Sequence, residues 1–388
     1  MGDVIRTLPA VKALKASSPS SSLTWMVEEP SKALLESQPE IDQVILFPRR
    51  RWTEGIKSIR KMPKTIREIG RFILDLRRQE FDMVLDFHGI LKSGLLSFFS
   101  GSPKRIGFDR RSSKEGNSFF SNVKVRLPDE KLSRFQRNFE LLQRMGLEVN
   151  PLRNSSSVRV DTDGALNPAR RVESPTGIIL KFNSAAEQGS IISNGVKNFD
   201  FKLHIPPEDR EYVKSFFHSL SNPLKKPFIA VHPGTSPKTL YKRWMPDQYA
   251  KLADRLIHEL NATVIFTWGP DEMGWVEGIR KEMQGESILG PQTKSLTELG
   301  EVLRRCDLYI GGDTGPMHIA SLVGTPVVAI YGPTDPIINE PLGLHKKVIK
   351  EVGCNPCRKR SCRELTCLKA IMVDDVLQAT KEILSITA

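Results

Sequence analysis

The sequence of 388 residues has no apolar run close to the roughly 20 residues that a membrane-spanning helix needs. Its first residues lack the apolar core of a secretion signal, and Arg6 stands where a myristoylation signal needs Ser or Thr. Cysteine is scarce, with five residues in the whole chain, which excludes a disulfide scaffold and favours a reducing compartment. We therefore expect a cytoplasmic protein.

Acidic residues are too few to balance the basic ones. Lysine and arginine number 57 against 45 aspartates and glutamates, so the formal net charge is +12. This excess favours an anionic partner such as a nucleotide phosphate, an acidic lipid or a nucleic acid. The chain has no zinc-finger, RRM or helix-turn-helix signature, so we expect no nucleic-acid partner.

Short apolar runs alternate with helical patterns, which predicts βα units around parallel sheets. Apolar residues at 39% and charged residues at 26% are typical of a globular protein, and the length favours two domains. In the first half, the predicted strands are residues 23–27, 43–47 and 83–87. In the second half, they are residues 228–231, 263–267, 308–310 and 327–331.

The domain boundaries follow from changes in composition. Between residues 154 and 201 Ser, Asn, Gly and Pro dominate, which predicts an irregular insertion and linker. An amphipathic pattern at the C-terminus predicts a last helix. We predict an N-terminal domain at 1–153, the insertion at 154–201, a C-terminal domain at 202–372 and the helix at 373–388.

The sharpest local signal is the run IGGDTGPMH at residues 310–318. A strand ends there, glycines allow a tight turn, and a helix starts near Pro316, so free N–H groups and the helix dipole predict an anion site. Thr314 would add a hydroxyl and His318 a cation. The alternative is an ordinary helix start in which the glycines serve only the turn.

Three further polar turns follow predicted strands at residues 231–235, 268–272 and 331–336. Open parallel sheets bind ligands along the edge where their strands end, so four such turns favour a nucleotide. Lys242, in the basic run YKRW at 241–244, would be a diphosphate partner, or else part of a solvated basic loop.

Six segments in order along the chain resemble the lipopolysaccharide heptosyltransferases of glycosyltransferase family 9. They are residues 2–9 (GDVIRTLP), 86–93 (DFHGILKS), 105–108 (RIGF), 242–244 (KRW), 312–318 (GDTGPMH) and 332–336 (GPTDP). The resemblance implies the GT-B architecture, with two Rossmann-like domains facing a cleft and a last helix that packs back toward the N-terminal domain. It also implies inverting transfer of a heptose from ADP-heptose to the lipopolysaccharide inner core, with no cofactor required for catalysis.

The resemblance also implies roles for individual residues. Asp3 would be the general base, although an acid at this position could equally cap a helix. The donor would be bound by Thr235, Lys242, Asp271, Glu272, Asp313, Thr314, Gly315 and His318. Lys92 and Arg105 would meet an anionic acceptor, or else be surface cations without a partner.

One departure from the family concerns the N-terminus. Relatives carry a strand before the Gly-Asp-Val segment, and here Met1 stands in its place. This predicts a first sheet that lacks its central strand. Either the start is assigned one strand too late or the protein is impaired, and we favour the first.

Four of the five cysteines gather within fourteen residues, at Cys354, Cys357, Cys362 and Cys367. Four thiolates suffice for a structural zinc ion, and the basic residues between 358 and 363 would lower their pKa. The spacing is more compact than that of a zinc ribbon, so an unligated loop and a redox use stay open. Cys306 is predicted to be buried in a helix.

The leading hypothesis is therefore a heptosyltransferase at the cytoplasmic face of the inner membrane. Its partners would be ADP-heptose, the lipopolysaccharide core with lipid A, and anionic lipid headgroups that its basic surface contacts. One alternative is a glycosyltransferase of the same fold with another nucleotide sugar or acceptor. A second is a non-catalytic nucleotide- or lipid-binding relative, which would bind ADP without turnover.

Overall fold

A computed structural model of the chain describes residues 2–128, 130–147, 177–181, 201–220, 224–357 and 359–387, of which 177–181 are described by their backbone. These residues form two compact units. The first holds the described parts of Asp3–Pro151 and Arg171–Phe201, and the second holds that of Lys202–Ala388. Across the described ranges, no helix combines the length and the apolar character that crossing a membrane needs.

The first unit is a sheet with helices around it. Its helices in the described residues are α1 Gly2–Ser17, α2 Lys32–Glu36, α3 Arg49–Ile56, α4 Met62–Arg78, α5 Leu91–Phe99 and α6 Arg134–Gln143. Its strands are β1 Ser22–Val27, β2 Gln43–Leu46, β3 Met83–Leu85, β4 Lys104–Phe108, β5 Val123–Val125 and β6 Gly177–Lys181. The strand order is β2-β1-β6-β3-β4-β5.

Strand β6 occupies the centre of this sheet and runs antiparallel to both of its neighbours. Ile179 lies opposite Thr24 on β1 and Val84 on β3, whereas the other strand pairs of the sheet are parallel. The predicted gap at the centre is therefore filled, and segment 154–201 is not irregular throughout. A strand at this position forms hydrogen bonds with the facing edges of β1 and β3, which are costly to bury unpaired.

The second unit is a fully parallel α/β sheet. Its helices in the described residues are α7 Pro207–His218, α8 Pro246–Leu260, α9 Met273–Glu282, α10 Leu296–Arg304, α11 Gly315–Leu322, α12 Thr366–Lys369 and α13 Val373–Thr387. Its strands are β7 Phe228–His232, β8 Thr263–Phe266, β9 Ile288–Leu289, β10 Leu308–Gly312, β11 Val327–Tyr331 and β12 His345–Ile349. They are ordered β12-β11-β10-β7-β8-β9.

The burial of the central strands of the second unit explains why the sequence shows them as continuous apolar runs. Every residue of β7, β10 and β11 is buried, because helices cover both faces of a parallel sheet. The order β11-β10-β7-β8 then brings the turns that follow four predicted strands to one edge. The strands that were missed are short or polar, such as β12 with the sequence HKKVI.

The last helix, α13, belongs to the core of the second unit. Val376, Leu377 and Ile383 are buried in a cluster with residues of β7, β10 and α8. Trp244 is buried in the same cluster and donates its indole N–H to the Ile371 carbonyl at 3.0 Å, just before α13. That α13 also packs toward the N-terminal domain stays a prediction.

Candidate active site

At the edge of the second sheet, Lys242 and Asp313 form a largely buried ion pair. The Lys242 Nζ donates to Asp313 Oδ2 at 2.9 Å and to the Asp313 carbonyl at 3.1 Å. The Asp313 side chain is 3% exposed and that of Lys242 18%. The His318 Nε2 lies 4.0 Å from Asp313 Oδ1 and is fully buried. Three predicted donor residues therefore meet at the end of β10.

Helix α11 starts directly at this ion pair. Thr314 is the residue before the helix, with an extended backbone, and Gly315 and Pro316 begin its first turn. The Thr314 Oγ1 lies 3.4 Å from the Gly312 carbonyl, and Thr314, Gly315 and Pro316 stay partly exposed. The first-turn N–H groups of a helix have no partner within it, so this start favours an anion.

Glu272 belongs to the same edge and is buried. Its Oε2 accepts the Gly269 N–H at 2.8 Å and lies 3.6 Å from His232 Nε2. A Cβ at Gly234 would fall 2.0 Å from this oxygen, so only glycine admits the carboxylate here. Of the two donor residues predicted in this turn, Glu272 is thus buried at the edge of the sheet and Asp271 is exposed beside it.

Arg243 joins three features of the edge that the sequence analysis did not connect. Its Nη2 donates to the Thr235 carbonyl at 3.1 Å and lies 3.7 Å from Glu272 Oε1. Its guanidinium lies 4.8 Å from the centre of the Trp275 ring, within reach of a cation–π contact. Among the described atoms, neither Arg243 Nε nor the hydroxyl of the buried Thr235 has a hydrogen-bond partner. Both atoms are also buried, and a buried polar atom without a partner is costly.

His232 is neutral in this arrangement. Its Nδ1 lies 3.0 Å from the Thr267 hydroxyl, and the ring is 3% exposed. Burial lowers the pKa of His232, and the nearby Glu272 opposes that effect only in part. The histidine therefore supports Glu272 by position and adds no fixed positive charge.

In the first unit, Asp3 is surrounded by cations. It lies in the first turn of α1, forms an ion pair with Arg134 of α6, and has Arg6 Nη1 at 3.6 Å. Burial alone would raise the pKa of Asp3, but Arg134, Arg6 and His88 outweigh it and lower the pKa to about 2. Asp3 is thus an ionised carboxylate at neutral pH.

Asp86 organises the loop beside the cluster formed by Asp3, Arg6 and Arg134. Its two carboxylate oxygens accept the N–H groups of His88 and Gly89, the Ser93 hydroxyl and the Asn117 amide, all within 3.0 Å. The bonds hold His88 next to Asp3. Burial lowers the pKa of His88, and Asp3 and Asp86 partly offset that effect.

Arg137 is the second cation that α6 brings to the cluster. Its Nη2 donates to the Ser112 carbonyl at 2.9 Å, and its guanidinium lies 4.0 Å from the centre of the Phe108 ring. Burial and the like charge of Arg134 lower the pKa of Arg137 to about 10, which still leaves it charged at neutral pH. Its Nε has no hydrogen-bond partner in the described structure.

The two predicted acceptor residues differ in their surroundings. Lys92 is exposed in the first turn of α5. Arg105 donates to the Phe120 and Ser102 carbonyls at 2.9 and 2.8 Å, and its guanidinium lies 5.7 Å from the Phe98 ring. Arg105 therefore holds the fold together locally, and Lys92 is the freer of the two.

The cysteine cluster does not assemble into a metal site in the described residues. No group of three or more His, Cys, Asp or Glu side chains in the described ranges is arranged to hold a metal ion. Cys354 is exposed and Cys367 is buried in α12, and all five cysteines are free thiols. Burial raises the pKa of Cys367, as do Cys354 and Cys357, so the expected lowering is wrong for this cysteine. Cys306 is buried as predicted, but it lies just after α10 and not within a helix, and burial raises the pKa of its thiol.

Sequence reasoning missed Arg134, Arg137, His88 and Arg243. Arg134 and Arg137 follow Ser133, whose hydroxyl caps α6, and their spacing of three places both on one helix face. That spacing was a visible signal, but only the tertiary structure shows that Asp3 lies opposite.

Comparison with known proteins bears on both units. Residues 69–368, about three quarters of the chain, match the sequence model of glycosyltransferase family 9 (heptosyltransferase). The lipopolysaccharide core heptosyltransferase OpsX of Haemophilus influenzae is 24% identical over 88% of this chain and 79% of its own. Lipopolysaccharide heptosyltransferase 1 of Pseudomonas aeruginosa is 25% identical over 93% and 84%.

A solved structure shows the same fold. The Escherichia coli heptosyltransferase WaaC with ADP superposes with a TM-score of 0.65 at 19% identity, covering 99% of this chain and 97% of that one. At this identity the likeness concerns the fold, an α/β architecture of two Rossmann-like units of the GT-B class.

Proposed function

The chain belongs to glycosyltransferase family 9, the heptosyltransferases, and on that basis we propose that this glycosyltransferase moves a heptose from ADP-heptose to the lipopolysaccharide inner core. Relatives named as lipopolysaccharide heptosyltransferases match more than four fifths of the chain. WaaC has been solved with ADP and with ADP-2-deoxy-2-fluoro heptose. Both lines of comparison favour this donor and acceptor.

The observation that carries the proposal is the Lys242–Asp313 pair at the start of α11. Lys242, the first-turn N–H groups and the Thr314 and Thr235 hydroxyls would receive the diphosphate of the donor. Glu272 would hold the ribose hydroxyls. As the sugar leaves, negative charge grows on the diphosphate, and donors fixed in advance stabilise that charge without reorganising.

Asp3 would act as the general base of an inverting displacement. A base takes the proton of the acceptor hydroxyl as its oxygen attacks the anomeric carbon, while the C–O bond to the diphosphate breaks. Asp3 suits the role in being ionised, yet a pKa of about 2 makes it a weak proton acceptor in the free protein.

Arg134 offers a way to strengthen that base. The acceptor is anionic, and its phosphate or carboxylate would draw Arg134 and Arg137 toward itself. Asp3 would then keep its burial and lose part of its compensating charge, so its pKa would rise toward the operating pH. In this proposal Lys92 adds a further cation at the entrance, and Arg105 keeps its structural bonds.

We further propose that the first unit binds the acceptor and the second the donor, and that the enzyme works at the cytoplasmic face of the inner membrane. The acceptor contains lipid A, which is held in that membrane. The net charge of +12 supports peripheral contact with anionic headgroups.

The proposal is tested by a transfer assay with ADP-heptose and a heptose-free lipopolysaccharide acceptor, on the full chain and on Asp3→Asn. We expect Asp3→Asn to lower kcat at least about 100-fold, because general-base catalysis contributes on that order. Binding of ADP, measured by calorimetry, should stay within about twofold since Asp3 belongs to the other unit. Asp75→Asn on α4, exposed and far along the helix from α3, is the matched control.

Two results would contradict the proposal. If another nucleotide sugar is transferred and ADP-heptose is not, the donor is wrong. If the unmodified protein binds ADP and transfers no sugar to any lipopolysaccharide acceptor, the assigned reaction is wrong.

A further inference from the structure

The connection between α3 and α4 exposes several large apolar side chains at once. Ile59 is 87% exposed, Ile66 57% and Ile56 51%, and Met62 is 39% exposed. The four residues lie within eleven positions of one another, at the end of α3, in the connection and in the first turns of α4. Single exposed apolar residues are common on proteins, but a local group of this size marks an interaction surface.

The same segment is strongly basic. Residues 49–71 contain nine Lys and Arg against two Glu. Six of the nine are exposed and form no ion pair within the described part of the chain, namely Lys57, Arg60, Lys61, Lys64, Arg67 and Arg71. Arg50 and Arg51, by contrast, pair with Glu54 and Glu68. The positive charge of the connection is therefore not neutralised internally.

Arg60, Lys64, Arg67 and Arg71 border one shallow hollow of about 420 Å³, together with Pro63 and Glu68. An anion that enters the hollow meets four cations and one carboxylate. Its size and charge suit a phosphate headgroup, and the apolar side chains of Ile59 and Ile66 belong to the same segment.

The segment is held in a fixed shape from beneath. Trp52 of α3 contacts Phe47 and Phe72 edge-on, with ring centres 5.2 Å apart in both pairs. Gly55 of α3 lies so close to Thr65 of α4 that a Cβ there would fall 2.1 Å from the threonine hydroxyl. These contacts fix α3 against α4, and the isoleucines stay exposed while the two helices are packed together.

We propose that residues 56–71, the docking surface, bind a bilayer of anionic phospholipid. The inference deepens the proposed function and rests on it in one respect, because an acceptor that contains lipid A must be reached at a membrane. Exposed isoleucines fit the acyl boundary and the lysines and arginines fit anionic headgroups, which is the composition of interfacial membrane-binding helices. A nucleic acid would use the cations alone and leave the isoleucines in water.

The test is sedimentation of the full chain with vesicles free of lipopolysaccharide. One set contains phosphatidylcholine alone and the other phosphatidylcholine with a third of phosphatidylglycerol. The charge variant is Arg60→Glu with Lys64→Glu and Arg67→Glu, and the apolar variant is Ile59→Ser with Ile66→Ser. The matched control, Arg210→Glu with Lys281→Glu and Lys369→Glu, removes the same charge from exposed positions of the second unit.

We expect the unmodified protein to bind the anionic vesicles at least about tenfold more tightly than the neutral ones. The charge variant should lose about tenfold or more and the apolar variant about fivefold, with the control within about twofold. Circular dichroism checks folding, and transfer to a detergent-dispersed acceptor should be unchanged in both variants.

Three outcomes overturn the inference. Equal losses in the charge variant and the control would mean that net charge alone drives binding. Full vesicle binding by the apolar variant would remove the isoleucines from the interface. If either variant binds the vesicles normally but transfers heptose more slowly to the detergent-dispersed acceptor, the surface is an acceptor subsite. If the unmodified protein binds the anionic vesicles but transfers no heptose, that result would instead count against the proposed function.

Discussion

At the scale of single residues, the two carboxylates of greatest interest are both held by arginines that the linear sequence leaves far away. Asp3 meets Arg134 across 131 positions, and Glu272 meets Arg243 across 29. In each case, a carboxylate in a largely buried place lies beside a cation and accepts a hydrogen bond. Removing either partner would leave an uncompensated charge, which is costly.

The free energy of unfolding at acid pH should depend on the ion pairs of Asp3. The folded pKa of Asp3, about 2, lies below its ordinary value of 3.8, so the stabilisation is present above pH 4 and is lost as pH falls toward 2. The difference corresponds to about 2 kcal/mol, of which about half is lost by pH 3.

Urea unfolding at pH 6 and pH 3 measures this effect in the first unit. Asp3→Asn should lose less stability between the two pH values than the unmodified protein, by about 1 kcal/mol. The exposed ion pair of Asp75 with Arg78 provides a control, because Asp75→Asn should change either value by no more than about 0.5 kcal/mol. Identical pH dependence in Asp3→Asn and the unmodified protein would contradict the assignment.

Substitutions of the neighbouring acids Glu272 and Asp271 should have different effects on the affinity for ADP. Glu272→Gln keeps the shape and removes the charge that faces Arg243 and His232, so we expect ADP to bind about tenfold more weakly. Asp271→Asn, exposed next door, should change the affinity by less than about twofold. Calorimetric titration with ADP decides, and equal losses would mean that the ribose is held elsewhere.

At the scale of elements, the placement of β6 has the largest consequences for the first unit. A five-residue antiparallel strand separates β1 from β3 and supplies the backbone partners of both. The other strand pairs of the described sheet are parallel. The loop after β3, which carries Asp86 and His88, therefore lies at the edge where these parallel strands end.

A proline in β6 should expose this dependence. Ile179→Pro removes a backbone N–H from a strand with neighbours on both sides, so we expect the first unit to lose about 2–3 kcal/mol of unfolding free energy. Ile179→Val keeps every backbone donor and should cost no more than about 1.5 kcal/mol. Urea unfolding followed by hydrogen exchange on peptides of β1 and β3 measures both. Equal stability of the two variants would exclude β6 from the native sheet.

At the scale of the whole molecule, each unit has its own sheet and its own buried cluster. Met26, Leu76, Phe81 and Val84 form a cluster in the first, and the second is built around β7, β10, β11 and α13. Units with separate cores can respond separately to a ligand that binds only one of them.

Saturating ADP should therefore protect the second unit selectively. At 100 times its Kd the nucleotide adds about 2.7 kcal/mol to the stability of the unit that binds it. Hydrogen exchange should slow in peptides of β7, β10 and α11 and stay within error in β1 and β4. Stronger protection of the first unit would reverse the proposed assignment of donor and acceptor.

The sequence by itself determined the parts whose signal is local. The strand of five buried residues ending in Gly312, the turn after it and the start of α11 were readable because a parallel strand is apolar throughout and a glycine turn before a helix start is written in consecutive residues. Lys242 and Asp313 were both named from their own motifs, and the structure brings them within 2.9 Å.

Only the tertiary structure decided what joins distant segments. Residues 177–181 are one short apolar run in a polar stretch, and nothing local says that they enter the sheet between β1 and β3. Arg134 reads as a surface arginine until α6 packs against α1, where the Asn138 amide donates to the Arg6 carbonyl at 3.1 Å. Strand pairing and ion pairing across more than a hundred positions depend on how whole elements bury their apolar faces, and short-range patterns in the sequence do not contain that information.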